Sequence, residues 1–298
     1  MSATDERLLF IVGPTASGKS ALGLRLAREL GGEILSADSM QIYRGFDIGT
    51  GKPSAEERAL VPHHLIDVAE PLQAWDAARW ADEAVRSIGE VRARGRVPII
   101  CGGTFLWVRA LIYGLAEAPR GDDELRARHR AWAEQAGRPA LYARLLEVDP
   151  VTAARLAPND FVRVSRALEV FELTGTPISL VQATHGFREP RFQARLVGVA
   201  RERAEQDELI ASRVRGMLAA GWVSEVESLI ERGFAAARAM TSVGYRQVAE
   251  ALKIGSARDE AALGDAIVRA TRVFARRQRT WLRDQPVEWL PADATKLP

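Results

Sequence analysis

Apolar positions change period along this chain, and the changes mark out its elements. Residues 8–12 form an unbroken apolar run ending at Gly13, the pattern of a buried strand. Residues 20–30 place Leu22, Leu26 and Leu30 at helical spacing and stop at Gly31-Gly32, a helix C-terminal signal. Strands at 33–36, 64–68 and 97–101, a glycine-rich loop at 45–53, an amphipathic helix at 76–94 and a helix at 105–113 continue the series. Alternating strand and helix predicts a parallel sheet with helices on its faces.

After Pro119 the strand signal gives out. The spacing predicts helices at 122–136, 139–147, 150–156 and 160–174, with Pro139, Pro150 and Pro158 suited to first turns or boundaries. A strand returns at 195–199, followed by helices at about 203–219, 222–232, 244–252 and 259–283 and an edge strand at 287–290. The organisation this implies is a core of 1–118 and 188–298 interrupted by an all-helical insertion, 119–187. There is no internal repeat and no low-complexity tail.

Composition narrows the class only slightly. Of 298 residues, 47% are hydrophobic and 27% charged, an ordinary globular balance with enough chain to bury a core. A single cysteine, Cys101, excludes an intramolecular disulfide and suits a reducing compartment. No signal-peptide pattern opens the chain, and no apolar run approaches the roughly 20 residues of a membrane span. A cytoplasmic protein without membrane attachment is expected, and nothing calls for an obligate protein partner. Net charge is only +2, but six arginines fall between Arg269 and Arg283, before the first acid at Asp284. Arg269, Arg272, Arg276, Arg279 and Arg283 share one helix face, either a solvated surface or a track for a phosphate backbone.

The strongest chemistry lies in Gly13, Pro14, Thr15, Ala16, Ser17, Gly18, Lys19 and Ser20, which fit G-x-x-x-x-G-K-[ST] at every fixed position, between a strand and a helix. Loop amides and the helix N-terminus face phosphate oxygens, Lys19 adds a positive charge, and the Ser20 hydroxyl is a candidate Mg²⁺ ligand. Kinases, GTPases and ATPases all use such a loop, so it does not identify the ligand. The strand at 97–101 ends in Gly102-Gly103-Thr104, without the acid that a nucleotide hydrolase uses to hold Mg²⁺ or activate water. A carboxylate follows the second strand instead. Asp38 should face the phosphate loop, as a general base, an indirect Mg²⁺ ligand or a turn residue.

The phosphate loop, then Ser36-Ala37-Asp38-Ser39-Met40-Gln41-Ile42-Tyr43 and Asp47-Ile48-Gly49-Thr50-Gly51-Lys52-Pro53, resemble the tRNA dimethylallyltransferase (tRNA isopentenyltransferase) family. The likeness continues through Gly102-Gly103-Thr104, Asn159-Asp160, Arg163 and Arg166 to Glu169, then Val243 to Gln247, and Thr271 to Trp281. The resemblance implies an α/β P-loop, nucleoside-kinase-like parallel-sheet core with an inserted all-helical domain and C-terminal helices. It implies Mg²⁺-dependent transfer of a dimethylallyl group from dimethylallyl diphosphate to the exocyclic amine of the adenine 3′ to the anticodon. Asp38 would take the amine proton and the loop would hold the diphosphate. Contacts to the tRNA anticodon stem-loop would come from Asp38, Ser39, Met40, Gln41, Thr104 and Arg126, from Val162, Arg163, Val164, Ser165 and Arg166 in the insertion, and from Arg276, Arg277 and Gln278.

Rival readings are a P-loop small-molecule kinase, an adenylate isopentenyltransferase and a non-catalytic RNA-binding protein. The helical insertion and the arginine face fit the first poorly, the extended basic C-terminal region argues against the second, and the intact Lys19, Ser20 and Asp38 fit the third poorly. The chain departs from the family pattern at Val162 (commonly glutamine), Gly51 (alanine), Phe105-Leu106-Trp107 (Gly-Leu-Tyr) and Leu209 (arginine), with Arg213 the nearest retained arginine. His63 and His64 lack a second cluster at zinc spacing and read as structural. The scattered tryptophans read as core or interface anchors, and Cys101 as a small buried hydrophobe.

Overall fold

The computed structural model describes residues 7–292. The chain forms two compact units: one ends at Ile112 and resumes at Arg191, and the other is Tyr113–Pro190.

In the first unit, β1 (Leu8–Val12) leads into α1 (Lys19–Leu30), β2 (Gly32–Ser36), α2 (Ala55–Leu60), β3 (His63–His64), α3 (Ala77–Ala93), β4 (Val97–Gly102) and α4 (Phe105–Tyr113). The second unit holds α5 (Asp123–Ala136), α6 (Arg138–Val148), α7 (Pro150–Ala153), α8 (Phe161–Thr174) and α9 (Ile178–His185). The first unit then resumes with β5 (Ala194–Val199), α10 (Arg203–Ala219), α11 (Trp222–Glu231), a 3₁₀ turn at Arg238–Thr241, α12 (Tyr245–Lys253), α13 (Glu260–Leu282) and β6 (Val287–Leu290).

The six strands lie in the order β3-β2-β4-β1-β5-β6, each pair parallel. Every residue of β1 and β2 is buried, which explains their lack of polar alternation. Leu9, Ile11, Ile34, Ile99 and Val197 pack against Leu22 and Leu26 of α1. Gly31 closes α1 at φ 61°, its N–H donating to the Ala27 carbonyl. The strand expected at 64–68 is cut to two residues because Leu65 and Asp67 take left-handed φ values of 61° and 58°, which end pairing. Two further helices escape the apolar pattern. Nothing in α2 is buried, and its sequence signal is the capping box of Ser54 and Glu57. Only Ile178 is buried in α9, so no stripe announces that helix.

The helical unit has its own core, with Leu141, Leu145, Ala153, Val164, Leu168 and Val170 at 0–1% exposure. Glu169, fully buried within it, accepts from the Asp122 N–H at 2.6 Å and pairs with Arg166 and Arg126. Burial alone would raise its pKa. The Arg166 hydrogen bond, the Asp122 N–H and the charges of Arg166 and Arg126 outweigh that and hold it below its ordinary 4.5. A carboxylate with a depressed folded pKa contributes stability that is complete above its unfolded value and lost as pH falls through the folded one. Glu169→Ala should therefore destabilise the full chain by about 3 kcal/mol at pH 7. The gap from wild type should narrow in thermal melts taken below about pH 4.5; a gap independent of pH would mean that lost packing, not charge, is the cause.

Candidate active site

The phosphate loop leaves β1 at Gly13 and closes at the first turn of α1. Ala16 at φ 58° and Gly18 at φ 93° adopt left-handed backbone, the conformation from which loop N–H groups can face an anion. Gly18 is the N-cap of α1 and provides no side-chain cap, so the first-turn amides have no partner within their helix. Such an end is suited to an anion. The Lys19 ammonium lies 3.3 Å from the Pro14 carbonyl, back over the loop. Burial holds its pKa below the ordinary 10.5; Arg213 pushes the same way, whereas Cys101 and Asp38 oppose the shift. An anion bound here would favour the charged form.

Asp38 stands beyond the carboxyl end of β2, beside the end of β4. The Ala37 N–H donates to the Cys101 carbonyl at 2.9 Å and the Thr104 N–H to the Ala37 carbonyl at 3.1 Å. Gly102 makes this contact possible, since a Cβ there would stand 2.2 Å from the Ala37 carbonyl oxygen. The Thr104 hydroxyl accepts from the Ser39 N–H at 3.0 Å, and Asp38 Oδ1 accepts from the Met40 N–H at 2.9 Å. The turn is thus fixed with the Asp38 carboxylate lining the cavity that Lys19 and Ser20 also line. Cys101 lines it too, but burial pushes its thiol pKa up to about 11, so it stays protonated near neutrality and is no nucleophile.

That cavity, about 630 Å³, lies between the loop and the C-terminal helices of the same unit, which contribute Arg213, Met217, Arg246, Phe274 and Arg277. Polar groups line the phosphate-loop side, while Met40, Ile210, Val214, Met217 and Phe274 supply apolar wall. Arg213 replaces Leu209 as the charge that α10 brings to the site. Leu209 is 37% exposed and does not line the cavity. Gly51 has φ 61°, and the Arg213 guanidinium occupies the space where its Cβ would be. Phe105 and Trp107 also have packing reasons. Phe105 stacks on Trp281 at 4.2 Å and Trp107 on Trp80 at 5.1 Å.

Several expected contacts are repositioned. Val164 and Ser165 are buried in the helical unit at 1% and 4% exposure, Ser165 bonded to His129, so they are corrected from nucleic-acid contacts to core residues. Arg166 is tied to Glu169 and to the Pro119 carbonyl, and Arg126 is shared between Asp123 and Glu169. Val162, 75% exposed, and Arg163 remain on the surface. On α13, Arg276 and Arg277 are exposed, but Gln278 is 7% exposed and turns inward. It lines the cavity and also supports the loop: Oε1 accepts from the Thr15 N–H at 2.8 Å. Gln41 faces the cavity with its amide engaged. Nε2 donates to the Gly51 carbonyl at 3.1 Å, and Oε1 accepts from the Ser36 hydroxyl at 2.9 Å. His64 pairs with Glu33 at 2.6 Å and His63 Nδ1 lies 2.7 Å from the Val61 carbonyl, both structural contacts. Among the described residues no three His, Cys, Asp or Glu side chains converge as a metal cluster. No described helix is long and apolar enough to cross a membrane.

A phosphate loop and a facing carboxylate on one cavity, with no acid at the end of β4, is the arrangement that comparison with known proteins explains. The IPP transferase family model matches residues 41–285, and the isopentenyl transferase model residues 6–70. The chain belongs to the IPP transferase family. A tRNA dimethylallyltransferase of Sorangium cellulosum is 60% identical over 283 residues, covering 95% of this chain and 90% of its own length. One from Anaeromyxobacter dehalogenans is 51% identical, with 95% and 94% covered. Among solved structures, the full-length tRNA isopentenylpyrophosphate transferase of Bacillus halodurans has TM-score 0.69 at 36% identity, with 96% of this chain and 90% of that one covered. A eukaryotic dimethylallyltransferase acting on tRNA has TM-score 0.79 at 24% identity, with 97% and 74% covered, and shares the fold. Within the family frame, Gln206 of α10 and the inward turn of Gln278 on α13 are what motif reading missed, whereas Arg213 is the retained arginine it names. Arg213, Gln206 and Gln278 reach the loop or cavity only because the chain returns to the sheet after the helical unit.

Proposed function

We propose that this chain transfers a dimethylallyl group from dimethylallyl diphosphate to the exocyclic amine of the adenine 3′ to the anticodon in tRNA, giving N6-dimethylallyladenosine. The observation that carries this reading is the shared cavity: the phosphate loop and Asp38 both open onto it, and β4 ends without an acid. In the reaction the bond between the allylic carbon and the diphosphate oxygen breaks, and a carbon–nitrogen bond to adenine forms. The loop amides and Lys19 hold the departing diphosphate and stabilise its charge. Asp38 accepts the proton released by the amine. The target adenine must leave its stack, a cost of a few kcal/mol that is lowest in a single-stranded loop. The apolar wall of Met217, Val214 and Phe274 suits the dimethylallyl chain.

Mg²⁺ fits the donor set. A site offering the Ser20 hydroxyl, without a carboxylate cage, suits an ion that keeps water and phosphate oxygens as ligands. When bound, it would neutralise charge on the diphosphate. Ser20 would hold it, and Asp38 lines the same cavity.

Arg276 and Arg277 on α13, and Val162 and Arg163 in the helical unit, are the exposed candidates for tRNA contact, and the helical unit is proposed as a tRNA-binding insertion. Replacing Arg276 and Arg277 by glutamine should weaken tRNA binding and reduce the slope of log affinity against log salt by about 1 to 2. An unchanged slope in fluorescence titrations would leave these arginines as a solvated face.

The reading as a whole is tested with purified chain, unmodified tRNA carrying adenine at the target position, dimethylallyl diphosphate and MgCl₂. Prenylated adenine should appear in nuclease digests as diphosphate is released. No prenylated adenine, with phosphoryl transfer from ATP to a small molecule, would replace it with the kinase reading.

A further inference from the structure

Both backbone polar groups of Thr15, within the phosphate loop, are bonded by side chains from far along the chain. Its N–H donates to Gln278 Oε1 at 2.8 Å, and its carbonyl accepts from Gln206 Nε2 at 2.7 Å. The two glutamines come from α13 and α10 and are 7% and 1% exposed. Neither amide is free to turn. Gln278 Nε2 donates to the Gly103 carbonyl at 3.1 Å, and the Arg279 guanidinium donates to Gln206 Oε1. Gly103 leaves room for this, since a Cβ there would come within 2.6 Å of Gln278 Nε2. The phosphate loop is therefore tied to helices 191 and 263 residues away in sequence.

We propose that Gln278 and Gln206 form a clamp that sets the phosphate loop in its diphosphate-binding shape. They are positioning residues for the prenyl donor. This rests on the reading of the loop as a diphosphate site. Loop amides bind phosphate only when they converge, and an unclamped Thr15 peptide would leave buried polar groups unpaired or swing toward water. The clamp needs one donor and one acceptor on the same side chain of Gln278. Gln278→Glu keeps the acceptor for Thr15 but sets a carboxylate oxygen against the Gly103 carbonyl.

The test is calorimetric titration of the full chain with inorganic pyrophosphate and MgCl₂, alongside fluorescence titration with an unmodified anticodon stem-loop RNA. Gln278→Ala, Gln278→Glu and Gln206→Leu should each raise the pyrophosphate Kd by about tenfold, the worth of one lost buried hydrogen bond. The RNA Kd should stay within about twofold, and steady-state assays should show the KM for dimethylallyl diphosphate rising more than that for tRNA. Gln206→Leu is close in volume and carries the test if circular dichroism shows that a Gln278 variant does not fold. Unchanged pyrophosphate affinity in the variants, or loss of RNA affinity instead, overturns the clamp. Wild-type protein that fails to bind pyrophosphate overturns the diphosphate reading, and the clamp's role with it; that result is distinct because it precedes any substitution.

Discussion

Asp38→Ala should abolish prenyl transfer while leaving tRNA affinity largely intact. The carboxylate lines the cavity beside Lys19 and Ser20, and its turn is fixed through Thr104 and Met40, not through Asp38 alone. Removing it takes away a proton acceptor and leaves the surrounding backbone bonded, apart from the Met40 N–H. A positioned general base is worth roughly 10²–10⁴-fold, so single-turnover rates should fall by that factor. Asp38→Asn should fall as far, because an amide keeps the shape and loses the basicity. If tRNA binding disappears together with turnover, Asp38 is chiefly a recognition residue and the base must be sought elsewhere along the cavity.

Lys19→Ala should lower kcat/KM for dimethylallyl diphosphate by about 10²–10³-fold, the range for losing a preorganised donor aimed at developing charge. The Kd for tRNA should not follow, since the arginines of α13 are untouched. Burial lowers the Lys19 pKa in the free protein. A bound diphosphate favours the protonated form, so wild-type affinity for pyrophosphate should be complete below that lowered pKa and decline as pH rises through it. Lys19→Ala should bind weakly at every pH. Equal pH dependence in wild type and variant, measured by calorimetry, would place the titrating group elsewhere.

These two candidates stand out in the sequence because their signals are local. The phosphate loop needs one fixed spacing of glycine, lysine and serine, and Asp38 follows a five-residue strand buried throughout. Other positions were less legible. Gln278 lies beside Arg276 and Arg277 in a basic stretch, and one-dimensional reading grouped it with them. Helical geometry separates them, turning Gln278 inward to Thr15 while Arg276 and Arg277 stay exposed. Val164 and Ser165 were grouped with Arg163 in the same way, yet a helix places adjacent residues about 100° apart, and these two fall on the core face. Gln206 carried no signal, since a lone glutamine in a predicted helix reads as surface.

By itself, the sequence picked out the candidates for the local chemistry: the phosphate loop, its lysine and serine, and a carboxylate after the second strand. It also determined the alternation that makes a parallel sheet, because apolar periodicity and glycine punctuation act within a few residues. Only the tertiary structure decided what surrounds that chemistry. The order β3-β2-β4-β1-β5-β6 brings α10 and α13 back over the loop. Arg213 then enters the cavity beside Asp38, and two buried glutamines fasten Thr15. Those contacts span 191 and 263 residues of chain. They exist because burying the apolar faces of both helices leaves one orientation for each, and the polar side chains on those faces must find partners where that packing puts them.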